Sequence, residues 1–411
     1  PRRLWRDGHR IDRHLGRPQQ RRVVPMQRVS IGERPDWQQR AKELDFAFHS
    51  IDGEPYWDET AYYAFTLAEI ERDLEEPSKA LDDLCRLAVE QAVRDPRLMD
   101  RLGIPQHAHA LIAKSWRRND PSLYGRFDFC YDGHGPARLL EYNADTPTAL
   151  YEAAVFQWHW LEEQRKAGRL PKSADQFNSI HERLVGRFAE LAGQGLLHLT
   201  AVSRHIEDRG TTEYIAECAR AGGFATQLID IADIGLGTDG QLYDAENRRI
   251  ERLFKLYPWE WLYAEEFSRG LASTATGFLE PPWKLVLSSK GLLPLLWELS
   301  PGHPNLLPAY FEDDPRTAEL GDRYARKPLF SREGANVTLV EDGVTLASSG
   351  GCYGTEGFVR QALARLPCFE GNHAVIGSWI IAGQPAGIGL REDRSPVTRN
   401  SSRFLPHAIV G

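Results

Sequence analysis

Three features of the 411-residue sequence predict a mixed fold, part α+β and part α/β, with a helical N-terminal part. Residues 35–118 repeat apolar side chains at helical spacing, residues 196–231 run strand, helix, strand, and from Pro281 onward the chain turns rich in Gly, Pro and short strands. The expected division is a basic extension over 1–25, a helical part with a hairpin over 26–195, an α/β region over 196–283 and a strand-rich part over 284–411. At 42% hydrophobic, the chain can bury a large core in two or three lobes.

No apolar run approaches the roughly eighteen residues that a membrane-spanning helix needs, and the N-terminus lacks an apolar signal core. A cytoplasmic protein without a membrane partner is therefore expected. Cys85, Cys130, Cys218, Cys352 and Cys368 are scattered and show no CxxC pair, which argues against a disulfide framework or a zinc knuckle. Residues 1–25 hold eight arginines against Asp7 and Asp12, a net +6, so the rest of a chain of formal charge −8 carries −14. The arm has no helical apolar stripe and leads to Met26, which is the expected natural start. An acidic body disfavours nucleic acid as a substrate.

In chain order, Pro35 to Ala41 opens a helix, and Thr66 to Val93 carries Leu67, Ile70, Leu74, Leu81, Leu84, Leu87 and Val93 at helical spacing, with a break expected near Pro77 and a stop before Pro96. The aromatic group Tyr56, Trp57, Tyr62, Tyr63 and Phe65 reads as core rather than as a stacking platform for a planar ligand. Leu150 to Gly168 and Asn178 to Ala192 are helices. Leu196 to Thr200 is a buried strand, Thr211 to Ala221 a helix and Thr226 to Ile231 the next strand, an order that implies a parallel unit. Gly235, Gly237 and Gly240 lead into Gln241-Leu242-Tyr243 and not into a helix, so they are no dinucleotide fingerprint. Trp259 to Phe267 is helical. Lys284 to Leu287 heads the C-terminal part, followed by the apolar segment Leu292 to Leu299. Strands are expected at Tyr324 to Leu329, Phe358 to Ala362, Ala374 to Ile381 and Ala386 to Arg391, the last with small residues where a ligand or backbone could come close.

The richest stretch for chemistry runs from Tyr124 to Ala154. Arg126 and Asp128 share one face of a strand, Asp132-Gly133-His134-Gly135 is a turn, and Arg138 to Asn143 returns with Glu141 and Asn143 on one face. Asp128, Glu141 and Asn143 together offer hard oxygen ligands that suit Mg2+ better than zinc, and an arginine beside them suits an anionic substrate. The same spacing also fits a solvated hairpin with an Arg126–Glu141 salt bridge, and spacing alone leaves both open. In the C-terminal part, Lys290 and Lys327 sit at the edges of apolar segments, Ser331 and Gly334 lie in a loop that can turn backbone N–H groups onto phosphate, and Arg391 adds a third cation. Each alone reads as a solvated charge; as a set they have a use only around a common nucleotide.

The runs Arg126-Phe127-Asp128, Leu140 to Thr148, Phe254 to Glu260, Ser289 to Glu298, Arg326 to Val337 and Gly387 to Asp393, in this order, resemble the glutathionylspermidine synthase-like family of carboxylate–amine ligases, from about Met26 to the end. The resemblance is nearest to its stand-alone bacterial members. It implies an ATP-grasp fold with a pre-ATP-grasp region over 196–283, ATP and Mg2+ as cofactors, and amide formation through an acyl phosphate. By position it implies Arg126 as the group that stabilises phosphoryl transfer and Asp128, Glu141 and Asn143 as Mg2+ ligands. Thr146 and Thr148 would face the acid, Lys290, Lys327 and Arg391 the phosphates, with the Gly334 loop as their cover and Gln361 near the adenine. A small-molecule acid (glutathione-like peptide or amino acid) and an amine (a polyamine among the options) are the expected partners, with the oligomeric state open. No amidase part with a Cys and His pair precedes the ligase part, so no hydrolysis of the product is expected. The alternatives are an ATP-binding regulatory protein of the same fold that has lost ligation, and a nucleic-acid binder acting through the arm.

Overall fold

The computed structural model describes residues 25–411 apart from 52, 192 and 194, so the arginine arm up to residue 24 lies outside the described residues. Among the described residues no helix is long and apolar enough to cross a membrane.

A six-stranded antiparallel sheet forms the centre. Its path runs Arg403–Leu405, Gln384–Asp393, Asn372–Ile381, Tyr124–Cys130, Arg138–Asn143, with Cys368–Phe369 also paired to the Asn372–Ile381 strand. The expected hairpin is therefore present, but its first strand is central, hydrogen-bonded to the C-terminal strands in the register Gly377 to Asp128 and Trp379 to Arg126. One sheet thus draws on segments about 250 positions apart. Burial on both faces explains why Tyr124–Cys130 has no exposed residue: Phe127 and Phe129 pack into the cluster that holds Leu81 and Cys85 of the N-terminal helix, while Arg126 and Asp128 face the other way.

That helix is continuous where a break was expected. Leu67–Glu69, capped by Thr66 and Glu69, runs through a π-helical segment Ile70–Glu75 into Glu76–Arg94. Pro77 lies in the first turn after the wider segment, where a missing N–H and a pyrrolidine ring are tolerated. The stop at Asp95 agrees with the expectation.

The middle region forms a four-stranded parallel sheet, in the order Gly277–Leu279, Arg252–Lys255, Leu196–Ala201, Ala225–Asp230, with helix Ile206–Ala221 as the crossover. Gly235–Leu236 and Leu242–Tyr243 make a small antiparallel hairpin, consistent with no dinucleotide turn. A five-stranded antiparallel sheet follows, Ala309–Phe311, Phe358–Ala362, Tyr324–Pro328, Thr338–Glu341, Val344–Ser348. Lys284 to Leu287, placed by sequence at the head of a strand-rich part, is instead the helix Lys284–Ser288, followed by helix Leu292–Leu299. A short apolar run does not distinguish strand from helix.

A three-stranded sheet, Gln27–Ser30, Ala61–Phe65 and His407–Ile409, brings the two ends of the described chain together. Tyr56, Trp57, Tyr62, Tyr63 and Phe65 are all buried and form core, as expected.

Candidate active site

The hairpin register aligns Arg126 with Asn143 and Asp128 with Glu141, so period-two alternation puts all four polar side chains on one face. Arg126 is buried and donates from Nε and Nη2 to Asp128 Oδ1 and Oδ2 (2.6 and 2.9 Å) and from Nη1 to the Thr148 carbonyl (2.6 Å). The bidentate pair raises the guanidinium pKa despite burial, so Arg126 is a permanent cation. Its aliphatic stem crosses the central sheet at Gly377, where a Cβ would meet Arg126 Cδ at 2.6 Å. The Arg126–Glu141 bridge left open by sequence is not the one formed.

Glu141 pairs instead with Lys290 (3.1 Å). Burial pushes the Glu141 carboxyl up, but Lys290 and Lys327 together outweigh it and hold the group at about 2. The Asn143 amide nitrogen donates to Asp128 Oδ2 (3.0 Å) and reaches Glu141 Oε1 (3.5 Å), so the three expected metal ligands are mutually adjacent. Among the described residues no group of three or more His, Cys, Asp and Glu could hold a metal ion; here the set is two carboxylates and an amide.

Lys290 donates to the Ser331 carbonyl (2.8 Å). Lys327 reaches the same place from the five-stranded sheet, donating to Gln361 Oε1 (2.7 Å) and the Leu140 carbonyl (2.9 Å), and Gln361 Nε2 donates to the Leu139 carbonyl (2.9 Å). Burial lowers the Lys327 ammonium to about 8 against the pull of Glu141. Gly334, at φ +69°, leads the loop between Pro328 and Thr338 against Thr398, whose carbonyl would lie 2.5 Å from an added Cβ. Arg391 donates from Nη2 to the Asn400 carbonyl (3.0 Å), while its buried Nε has no partner.

These groups line one cleft of about 90 Å3. It adjoins a slot of about 110 Å3 walled by Leu140, Ala325, Leu339, Leu366 and Val375, with Lys327 and Gln361 at one side. Asp128, Glu141, Gly334 and Thr398 line both, so a polar cleft and an apolar slot form a continuous space. The eleven residues to which the resemblance gives a role lie on its walls or, for Lys327 and Gln361, on the slot.

Sequence reasoning missed several members. Arg332 closes the cleft by donating to Thr146 Oγ1 (2.8 Å) and its carbonyl (3.1 Å), so the Thr146 hydroxyl is already engaged. Glu260 is raised by burial against Arg332, and its Oε2 has no partner. Glu207 and Asp208, at the start of helix Ile206–Ala221, are both raised by burial, against the opposing charges of Arg391 on Glu207 and of Arg332 on Asp208. Asp145 is structural: it accepts from the fully buried Lys255 (2.7 Å) and the Trp259 N–H (2.8 Å), tying the loop after Asn143 to the parallel sheet. Asp145, Glu260 and Arg332 lie in runs already singled out by sequence, with Asp145 among the carboxylates of the hairpin stretch, but no partner could be read for them; Glu207 and Asp208 carried no local signal.

On the late strand the small residues admit backbone, one of the two options the sequence offered: a Cβ at Gly387 would meet the Phe177 carbonyl (2.9 Å), and one at Gly389 the Phe404 ring (2.8 Å).

Comparison with known proteins gives consistent matches. The family model described as glutathionylspermidine synthase preATP-grasp matches residues 28–410. A Haemophilus influenzae protein named "Putative acid--amine ligase" is 40% identical over 400 residues, covering 94% of this chain and 100% of that one. The trypanothione synthetase of Crithidia fasciculata is 28% identical over 79% of this chain, and the bifunctional glutathionylspermidine synthetase/amidase of Escherichia coli 25% identical over 91%. This chain spans only 53% and 63% of those two proteins. Among solved structures, a glutathione synthetase-like effector from Globodera pallida aligns with TM-score 0.47 at 12% identity, over 78% of this chain and 87% of that one.

Proposed function

The chain belongs to the glutathionylspermidine synthase preATP-grasp family and is a carbon–nitrogen ligase, and from that premise we propose that it joins a small carboxylic acid to an amine while ATP is cleaved to ADP and phosphate. The observation that carries this is the continuity of the apolar slot with a cleft where Arg126, Lys290, Lys327 and Arg391 face Asp128, Glu141 and Asn143. The five-stranded sheet over the central sheet then acts as an ATP-grasp, with a planar base in the slot and the phosphates in the cleft.

Buried polar atoms without partners at Arg391 Nε, Ser331 Oγ and Glu260 Oε2 fit a ligand-binding cleft, since such atoms are costly to leave unpaired. Asp128, Glu141 and Asn143 would hold Mg2+, which when bound supplies charge neutralisation on phosphate oxygens. Lys290, Lys327 and Arg391 hold the phosphate chain and the Gly334 loop covers it. A carboxylate oxygen of the acid attacks the terminal phosphorus as the bond to ADP breaks, with Arg126 beside the charge that develops. The amine nitrogen then attacks the acyl carbon, the carbon–oxygen bond to phosphate breaks, and the nitrogen loses its proton. Thr146 and Thr148 line the side the acid approaches, and Glu207, Asp208 and Glu260 give a cationic amine an acidic wall. No protein nucleophile is required; positioning and charge carry the reaction.

The test is ADP release with Mg-ATP across small peptides and amino acids, with and without polyamines, products being read by mass. Release that needs both an acid and an amine, with an amide of the expected mass, supports the ligase. ATP binding without acid-dependent turnover would favour the binding-only alternative.

A further inference from the structure

Apart from the catalytic cleft there is a cavity of about 510 Å3 that shares no lining residue with it. Its floor and sides are aromatic: Phe48, Tyr151, Trp158 and Tyr214, with Tyr151 and Tyr214 in edge contact at 5.6 Å. Gly210 permits this, because a Cβ there would meet the Phe48 ring at 2.9 Å. Carboxylates stand around the rings: Asp45, Glu182, Glu213 and Glu217. Glu213 accepts from Arg209 (3.0 Å), whereas Asp45, Glu182 and Glu217 have no ion pair among the described residues. The nearby Arg40 is engaged by Glu43 and Glu163. The cavity wall is therefore net negative over π faces, which attract cations as well.

The arrangement also selects the kind of cation. No three of these carboxylates converge as a metal site would require. Charges spread around an aromatic floor suit an extended cation whose methylenes lie on the rings and whose ammonium groups reach separate carboxylates. We propose that this cavity is a second binding site, for a linear alkylammonium ion with two or more charges, distinct from the reacting amine. Helix Ile206–Ala221 carries Glu213 and Glu217 into the cavity, while Glu207 and Asp208 at its start feel the charges of the cleft residues Arg391 and Arg332. Tyr56, hydrogen-bonded to Glu152 (2.5 Å), lies 6.4 Å from the Phe48 ring. The proposal does not depend on the ligase reading, since it needs neither ATP nor turnover.

The test is calorimetric titration of the 411-residue chain with spermidine at fixed ionic strength, with Mg2+ as the control ion. Wild type is expected to bind spermidine saturably. The double variant Glu182→Gln/Glu217→Gln, at exposed positions that leave the fold unchanged by circular dichroism, should weaken that binding at least about tenfold, roughly the loss of one charge contact or more. Trp158→Leu should weaken it as well. Glu71→Gln, an exposed carboxylate that lines neither space, should leave it unchanged. No saturable binding by wild type, or equal affinity in the double variant, would overturn the site. Binding lost in Glu207→Gln and kept in the double variant would assign the heat to the catalytic cleft and likewise overturn the site.

Discussion

At the scale of single residues, the site is a set of charges that hold one another in place before any ligand arrives. Arg126 is fixed by two bonds to Asp128 and one to the Thr148 carbonyl, so its charge is oriented in advance. Arg126→Ala is expected to lower kcat by about 100-fold or more while ATP still binds, as measured by steady-state kinetics beside calorimetry; unchanged turnover would remove Arg126 from the reaction. Asp128→Ala should shift the Mg2+ titration of activity to higher concentration, and an unaltered titration would exclude it as a ligand. Lys327 gives a pH prediction. Burial depresses its folded pKa to about 8, below the ordinary lysine value. The folded state therefore binds fewer protons than the unfolded between about 8 and the lysine value, so this group's contribution to stability rises with pH over that window. ATP affinity has the opposite trend, because phosphate needs the ammonium: it should fall above about pH 8, by at most about tenfold per pH unit for one proton. Lys327→Met should flatten that alkaline limb, and a limb of the same slope in the variant would assign it elsewhere.

At the scale of elements, the hairpin and the glycine loop do different work. The hairpin was readable locally: residues two apart on a strand share a face, and a Gly-rich turn joins the two strands, so Arg126, Asp128, Glu141 and Asn143 could be grouped from spacing alone. What spacing did not reveal is that the first strand is central, flanked by Asn372–Ile381, which makes the face of the site rigid rather than solvated. The loop carrying Gly334 is held by conformation. Its φ of +69° and the 2.5 Å that would separate an added Cβ from the Thr398 carbonyl leave no room for a side chain. Gly334→Val should cost about 1–2 kcal/mol in backbone strain alone, lift the loop and raise KM for ATP several-fold more than it lowers kcat. A KM unchanged from wild type would mean that the loop does not cover the nucleotide.

At the scale of the whole molecule, one buried carboxylate joins both ends of the described chain. Glu392 accepts from Arg28 (2.9 Å), Arg403 (2.6 Å) and the Tyr63 hydroxyl (2.7 Å), linking the first strand, the three-stranded sheet and the central sheet. Glu392→Gln should destabilise by about 1.5–3 kcal/mol in urea denaturation, because Arg28, Arg403 and Tyr63 lose a charged acceptor while Arg403 keeps Asp58 and Arg28 keeps Glu370; a loss below about 1 kcal/mol would show the network to be effectively solvated. By itself the sequence determined most kinds of element, the family resemblance and a set of polar residues that fall together on one cleft and its slot, because hydrophobic period, turn residues and motif runs are local properties of the chain. Only the tertiary structure decided which charges meet. Glu141 reaches Lys290, Thr146 meets Arg332 and Asp145 meets Lys255. These pairings join segments about 110 to 190 positions apart, and no periodicity records them, since they are set by how the sheets stack and where buried charge must find a partner.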